Sequence, residues 1–199
     1  MTDPAEMQAP GADQLWFLPL GGTGEIGMNL NLYRHGGKWL AVDCGIGFGG
    51  AAHPEVDVMM PDPGFIAEQR EKLVGLVITH AHEDHLGAVA WLWPQLKCPI
   101  YCTPFAAEIL TLKLKEAGLD EDVTIHVKDQ KARFEVGPFD VEFVAVTHSI
   151  PEPTAVMIRT AGGNVLHSGD WKIDRTPVLG RTMDEKRLRE LGEEGINAL

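Results

Sequence analysis

The sequence has no long apolar segment and few cysteines, and both shortages narrow the class of protein. No apolar run reaches the length of about 18 residues that a membrane-spanning helix needs. Residues 1–14 lack the basic start and the apolar stretch of a signal peptide. The three cysteines, Cys44, Cys98 and Cys102, are an odd number, which argues against a disulfide framework. We therefore expect buried thiols, a flexible tail over residues 1–14, and a cytoplasmic protein that does not associate with membranes.

Positive charge is also scarce. The chain carries 17 lysines and arginines against 29 acidic residues, a net charge of −12 over 199 residues. Proteins that bind nucleic acid nonspecifically usually present a basic face, so this balance by itself argues against that class. Bound cations change the count, because two divalent ions would bring the net charge to about −8. A polyanionic substrate therefore stays open if metal ions and a local basic cleft hold the scissile phosphate.

The most informative segment is the nonapeptide THAHEDHLG at residues 79–87. Within six residues it holds His80, His82, Asp84 and His85, and imidazole and carboxylate groups are ligands of zinc and related divalent ions. The apolar run before it is typical of a buried strand, and the apolar stretch after it is typical of a helix. His80 and His82 point the same way if extended, and Asp84 and His85 can face a neighbouring point. A lone histidine is more often structural, but this set predicts a site for two adjacent ions.

Three further polar residues each follow a predicted strand. Asp43 ends the run 39–42, His148 follows 143–147, and Asp170 follows 165–169. Asp43 before a Cys-Gly pair is open to a second interpretation as a turn residue, and His148 to one as a loop histidine. His167 lies near Asp170 in sequence but alternates away from it, so we leave it out of the predicted site.

A glycine-rich segment at residues 21–27 comes close to a dinucleotide-binding fingerprint. Gly22, Gly24 and Gly27 satisfy G-x-G-x-x-G, and an acidic residue, Asp43, lies 16 residues further on. The fingerprint requires a helix to open at the last glycine, so that its N-terminus meets the pyrophosphate. Here residues 29–33 alternate as a strand instead. We therefore expect a tight loop whose backbone approaches the metal site, and no dinucleotide.

The remaining periodicity predicts many short strands with helices between them, typical of a sheet sandwich with helices outside. Residues 51–63 are expected to be an irregular loop that covers the cleft. The predicted strands span residues 15–20, 28–34, 38–43, 73–78, 98–102, 123–127, 132–136, 139–146, 154–160 and 164–167, and the predicted helices span 86–96, 103–117 and 184–191.

The H-x-H-x-D-H pattern at a strand end resembles the signature of the metallo-β-lactamase superfamily. LGGTGEIGMN at residues 20–29, THSIPE at 147–152 and SGDWKID at 168–174 are similar to its β-CASP nuclease branch, and most of all to the ribonuclease J family. The resemblance implies an α+β fold, the αββα sandwich, with a metal-dependent hydrolase site at one edge. Residues 15–199 would then be the N-terminal part of the metallo-β-lactamase domain. It would be incomplete at its C-terminal side and would lack the β-CASP insertion and the family's last histidine ligand.

The same resemblance implies a role for each site residue. His80, His82 and His148 would bind one ion, while Asp84 and His85 would bind a second. Asp170 would bridge both ions, and Asp43 would orient the cluster from behind the ligands. Asp84 and Asp170 are the candidate catalytic residues, Asp84 as a proton acceptor. The implied cofactors are two divalent ions, zinc with manganese or magnesium as alternatives, and we expect the second site to be incomplete, with one ion or none bound tightly.

The implied activity is metal-dependent hydrolysis of RNA, with 5′→3′ exonuclease and endonuclease action in RNA processing and decay, ribosomal RNA included. RNA is the expected partner, and homo-oligomerisation of the intact protein stays open. We expect this chain to cleave RNA far more slowly than an intact protein of the family. Two alternatives are kept: hydrolysis of a small ester, thioester or lactam on the same fold, because the fold does not fix the substrate, and a non-catalytic metal-binding or structural domain.

Overall fold

The computed structural model describes residue 11 and residues 13–50 and 54–199. Most of the predicted tail, residues 1–14, lies outside these residues, as does the start of the predicted 51–63 loop.

The first of two main sheets brings several strand ends to one edge. It has six strands in the order β1-β2-β3-β6-β7-β8. β1, β2 and β3 form antiparallel hairpins, whereas β3, β6, β7 and β8 run parallel. Since β3 and β6 are parallel neighbours, the residues that follow them emerge side by side. The bounds are β1 (Trp16–Gly21), β2 (Leu30–His35), β3 (Lys38–Val42), β6 (Leu73–Val77), β7 (Ile100–Cys102) and β8 (Ile125–Val127).

The second sheet is antiparallel and faces the first. Its order is β12-β11-β10-β9, with β9 (Arg133–Val136), β10 (Phe139–Ala145), β11 (Thr154–Thr160) and β12 (Gly163–His167). β10 and β12 both flank β11 in antiparallel register, so they run the same way and end at one edge. Alternate apolar residues of both sheets form the core between them, among them Leu40, Val77, Phe143 and Ile158. This burial of apolar side chains holds the two strand-end edges in place.

Helices cover the outer face of each sheet, which completes the predicted αββα layering. A core cluster joins Leu76 and Ile100 of the first sheet to Leu92 and Leu110 of the helices above it. On the second sheet, Leu191 packs into a smaller cluster of strand residues. The helices are α1 (Gly64–Ala67), α2 (Glu83–Leu86), α3 (Val89–Leu96), α4 (Pro104–Glu116) and α5 (Glu185–Glu194), with a 3₁₀ turn at Arg70–Lys72.

Two local expectations were wrong. The single helix predicted over 86–96 is divided into α2 and α3, because the Ala88 amide donates to the Cys44 carbonyl, 3.0 Å away, instead of continuing the first helix. The predicted loop 51–63 contains β5 (Val58–Met59), which pairs with β4 (Gly47–Phe48). Strands of two residues leave no periodic signal in a sequence. Among the residues that the structure describes, no helix combines the length and apolar character needed to cross a bilayer.

Candidate metal centre

The predicted ligands meet at the edge where β3, β6, β10 and β12 end. Asp43 follows β3, residues 80–85 follow β6, His148 follows β10 after two intervening residues, and Asp170 follows β12. The parallel pairing of β3 with β6 sets Asp43 beside the histidine motif, and the Asp43 amide donates to the Val77 carbonyl at 2.8 Å.

A first group of ligand atoms comes from His80, His82 and His148. One nitrogen of each lies within 4.8 Å of the others. His80 Nε2 and His82 Nδ1 are 3.1 Å apart. Two nitrogens each 2.0–2.1 Å from a tetrahedral zinc ion are separated by about 3.4 Å, so this spacing fits a shared ion. His82 and His148 approach each other edge to face, with ring centroids 4.8 Å apart.

A second group consists of His80, His85 and Asp170, again within 4.8 Å. Asp170 Oδ1 lies 3.5 Å from His85 Nε2, and Asp170 Oδ2 lies 3.7 Å from His148 Nε2. The two oxygens of this carboxylate therefore face one group each. Asp84 Oδ2 is 3.6 Å from the same His85 nitrogen. Asp84 therefore lies beside the second group, whose third member is His80 and not Asp84.

Asp43 is fully buried behind these ligands. Its carboxylate accepts hydrogen bonds from the Thr79 amide (2.8 Å), the Thr79 hydroxyl (2.9 Å) and His85 Nδ1 (2.7 Å). The backbone of Asp43 is left-handed, with φ at 64°, a conformation that aspartate tolerates better than most residues. The bond to Nδ1 fixes the ring of His85 and leaves its Nε2 facing Asp170.

Charge interactions within the cluster separate the histidines into two kinds. Burial alone would lower the pKa of His85, but Asp43 and Asp170 outweigh it and raise that pKa to about 10. Burial and the neighbouring His85 lower the pKa of His80 to about 3. Burial likewise lowers the pKa of His148. At neutral pH His80 therefore offers a free lone pair, whereas His85 must first lose a proton.

The carboxylates of the cluster are stabilised in their charged form. Burial opposes ionisation of Asp43, yet the attraction of His85 and its hydrogen bond hold the Asp43 pKa below its ordinary value. The hydrogen bond from His85 lowers the pKa of Asp170 to about 2, against the smaller effect of burial. Both groups are thus anionic at neutral pH, which suits binding of a cation.

The glycine-rich loop leads into a strand at this same edge, as predicted. No helix opens at Gly27, and β2 begins at Leu30. The Asn29 amide and its side-chain Nδ2 both donate to the Asp84 carbonyl, at 3.2 and 2.9 Å. Gly45 also approaches this turn, since a Cβ there would lie 1.7 Å from the Asp84 carbonyl oxygen. Close backbone contacts therefore fix where Asp84 and His85 begin α2.

Sequence reasoning missed two residues that support the ligands. Thr79 binds Asp43, and its hydroxyl also lies 2.9 Å from His80 Nδ1. Asn29 Nδ2 lies 3.4 Å from His85 Nε2. His167 lies in neither ligand group, and its Nδ1 is 2.9 Å from the Tyr33 hydroxyl. Adjacency to the histidine motif was the available signal for Thr79, whereas the contact of Asn29 with His85, 56 residues away in sequence, leaves none.

Comparisons with known proteins agree with this fold. The profile of the metallo-beta-lactamase superfamily matches residues 26–181. Among solved structures, the metallo-beta-lactamase fold protein YhfI from Bacillus subtilis superposes with a TM-score of 0.56 and 20% identity, covering 78% of this chain and 62% of that one. This similarity concerns the fold alone. The superfamily fold implies binding of divalent metal ions, and the histidine cluster described above has donors suited to one.

Curated relatives are ribonuclease J proteins. That of Sinorhizobium meliloti is 52% identical over 94% of this chain and 34% of its own length. The protein from Corynebacterium glutamicum is 38% identical over 98% of this chain and 27% of its own length. The protein from Helicobacter pylori is 36% identical over 91% of this chain and 26% of its own length. The chain thus spans about a quarter to a third of the length of the relatives it matches. Because the superfamily profile covers well over half of the residues and the fold agrees with it, this chain belongs to the metallo-β-lactamase superfamily.

Proposed function

We propose that this chain carries the metal centre of a metal-dependent ribonuclease, which hydrolyses phosphodiester bonds of RNA with 5′→3′ exonuclease and endonuclease action. The observation that carries the proposal is the position of Asp170, whose two oxygens face His85 and His148 at 3.5 and 3.7 Å. A carboxylate between two ligand groups is what a pair of neighbouring ions requires. The names of the relatives, ribonuclease J, support RNA as the substrate.

In this proposal His80, His82 and His148 would hold one ion, Asp84 and His85 would hold the second, and Asp170 would contribute to both. Zinc is the proposed metal, because nitrogen ligands predominate, with manganese or magnesium as alternatives. When bound, paired divalent ions activate water and stabilise charge on the attacking and leaving oxygens.

The chain's own residues supply position and proton transfer. Asp43 holds the proton on His85 Nδ1, so the proton that His85 loses on metal binding is the one on Nε2, which then becomes available for a ligand bond. Thr79 and Asn29 restrain the histidine rings and the turn before α2. Asp84 is the proposed proton acceptor, and 30% of its side chain is accessible to solvent.

The test is cleavage of a labelled, 5′-monophosphorylated RNA by the purified chain loaded with zinc or manganese. We expect His82→Ala to reduce cleavage at least about 10–100-fold, the loss seen even for residues that only support a ligand. His126→Ala is the matched control, because His126 is an exposed histidine on β8 outside both ligand groups. Product lengths distinguish exonuclease from endonuclease action.

The same preparations separate the alternatives. Hydrolysis of a lactam, ester or thioester with RNA left intact would favour a small-molecule hydrolase. Stoichiometric metal binding without hydrolysis of any of these substrates would favour a non-catalytic metal-binding domain. Either result would contradict the ribonuclease proposal for this chain.

A further inference from the structure

A cavity of about 220 Å³ adjoins the metal centre on the side of His148. Its walls come from residues 148–151, between β10 and β11, and from residues 172–179, between β12 and α5. His148 belongs both to the first ligand group and to this cavity. A polymer whose phosphate lies at the metal centre can therefore continue into the cavity, which we call the Lys172 cavity.

Lys172 is fixed relative to two metal-ligand candidates. Its amide donates to the Thr147 carbonyl at 2.7 Å, and the Thr147 hydroxyl donates to the Lys172 carbonyl at 2.5 Å. Thr147 directly precedes His148, and Lys172 follows Asp170 by two residues. These two bonds tie the ends of β10 and β12 together, so the lysine stem starts at a fixed place beside the ligands.

The charge of this segment differs from that of the chain. Residues 171–182 contain three basic side chains and one acidic side chain, within a protein of net charge −12. Lys172 Nζ lies 3.3 Å from Asp174 Oδ2, and half of the lysine side chain is exposed. Exposed pairs of this kind contribute little stability. The ammonium can therefore exchange Asp174 for a phosphate oxygen at small cost.

The rest of the cavity lining is partly apolar. Ile150, Val178 and Leu179 line it, and the Val178 side chain is 97% exposed although apolar. Ser149 adds a hydroxyl at the wall. Asp174, the ion-pair partner of Lys172, also lines the cavity. Once a phosphate replaces Asp174 on Lys172, the cation, the hydroxyl and the apolar surface match a nucleotide, which has an anionic phosphate, hydroxyls on its sugar and a flat base with apolar faces.

We propose that the Lys172 cavity binds one nucleotide of single-stranded RNA next to the scissile bond, with a backbone phosphate on Lys172 and the sugar and base against Val178 and its apolar neighbours. The identity of the polymer rests on the function proposed above. A phosphate contact of this kind adds affinity without sequence preference, and it makes that affinity depend on salt.

The test is binding of a fluorescent, phosphorothioate-linked oligoribonucleotide, which resists cleavage, to the metal-loaded chain at salt concentrations from about 50 to about 200 mM. Lys172→Gln should weaken binding severalfold and reduce the slope of log affinity against log salt by about 0.7, the share of one single-strand phosphate contact. Lys38→Gln is the matched control, since Lys38 is exposed at the start of β3, at the opposite end of the strand from Asp43. It should leave the slope unchanged.

Equal slopes for the two variants, or no RNA binding by the unsubstituted chain, would overturn the inference. Equal competition by an acidic peptide would also overturn it, because the cavity would then recognise anionic polymers in general. RNA that binds through Lys172 but stays uncleaved when its linkages are natural would contradict the ribonuclease proposal and leave the cavity assignment intact. RNA cleavage together with a salt slope that Lys172→Gln leaves unchanged would contradict the cavity assignment and leave the ribonuclease proposal intact. Thermal unfolding of each variant checks that folding is retained.

Discussion

Replacing Asp43 with asparagine should weaken binding of the ion proposed for His85 while leaving the backbone in place. Asparagine has nearly the same size and adopts left-handed backbone as readily as aspartate, so the φ of 64° costs no additional strain. The side-chain oxygen can still accept from the Thr79 amide, now 2.8 Å from Asp43 Oδ1. The new amide nitrogen, however, would face His85 Nδ1, which donates to Asp43 Oδ2 at 2.7 Å.

The magnitude follows from the tautomer of His85. An amide that donates to Nδ1 favours the ring with its proton on Nε2, the atom that faces Asp170. A metal ion must then displace that proton or break the new hydrogen bond. Loss of such a supporting carboxylate typically weakens metal binding by about 10–100-fold, which corresponds to about 1.4–2.7 kcal/mol. The ion proposed for His80, His82 and His148 should be affected less, because none of these residues hydrogen-bonds to Asp43.

The assay is zinc titration of the metal-free chain against a chromophoric chelator, which resolves a tight and a weak ion. Asp140→Asn is the control, because Asp140 pairs with Arg133 at a partly exposed position outside both ligand groups. Loss of affinity confined to one ion in Asp43→Asn, with none in the control, agrees with the reasoning. Unchanged affinity for both ions in Asp43→Asn would refute the idea that Asp43 orients His85.

Three further outcomes are expected. Gly45→Ala should lower the free energy of unfolding by at least about 4 kcal/mol or prevent folding, because its Cβ would lie 1.7 Å from the Asp84 carbonyl oxygen. Gly24→Ala, at φ 79° with open space around it, should lower it by only about 1–2 kcal/mol. Unfolding of both variants in urea measures the difference. Glu142→Gln should lower the free energy of unfolding by about 3 kcal/mol at neutral pH, since this buried carboxylate pairs with two arginines. Burial opposes ionisation of Glu142, but the arginines hold its pKa below the ordinary value. The difference in unfolding free energy between Glu142→Gln and the unsubstituted chain should therefore shrink as the pH falls through that lowered pKa. A difference that does not depend on pH would contradict the pairing. Zinc affinity at the site containing His85 should rise about tenfold per pH unit between pH 6 and 8. The pKa of His85 is about 10 in the metal-free chain, so zinc binding must release a proton. Calorimetry in two buffers of different ionisation enthalpy measures that proton release.

Local spacing predicted much of the molecule. The alternation of apolar residues gave strands at β2, β3, β10 and β11 within a residue or two of their observed bounds. The glycine loop was distinguished from a nucleotide-binding turn because residues 29–33 alternate. The boundary between α2 and α3 was missed, because the Cys44 carbonyl that accepts from Ala88 lies 44 residues away in sequence. A contact of that kind depends on which strands are neighbours, and no short window contains it.

The sequence by itself determined the types of ligand and their local order. Residues 79–87 follow one strand and open one helix, so their directions are fixed by backbone periodicities of two and 3.6 residues, without knowledge of the rest of the chain. Only the tertiary structure decided which atoms meet across long separations. The parallel pairing of β3 with β6 brings Asp43 to His85, and the packing of the second sheet on the first sets Asp170 between His85 and His148 and Lys172 beside Thr147. These distances arise from strand order and from burial of the core between the sheets, which are properties of the whole folded chain.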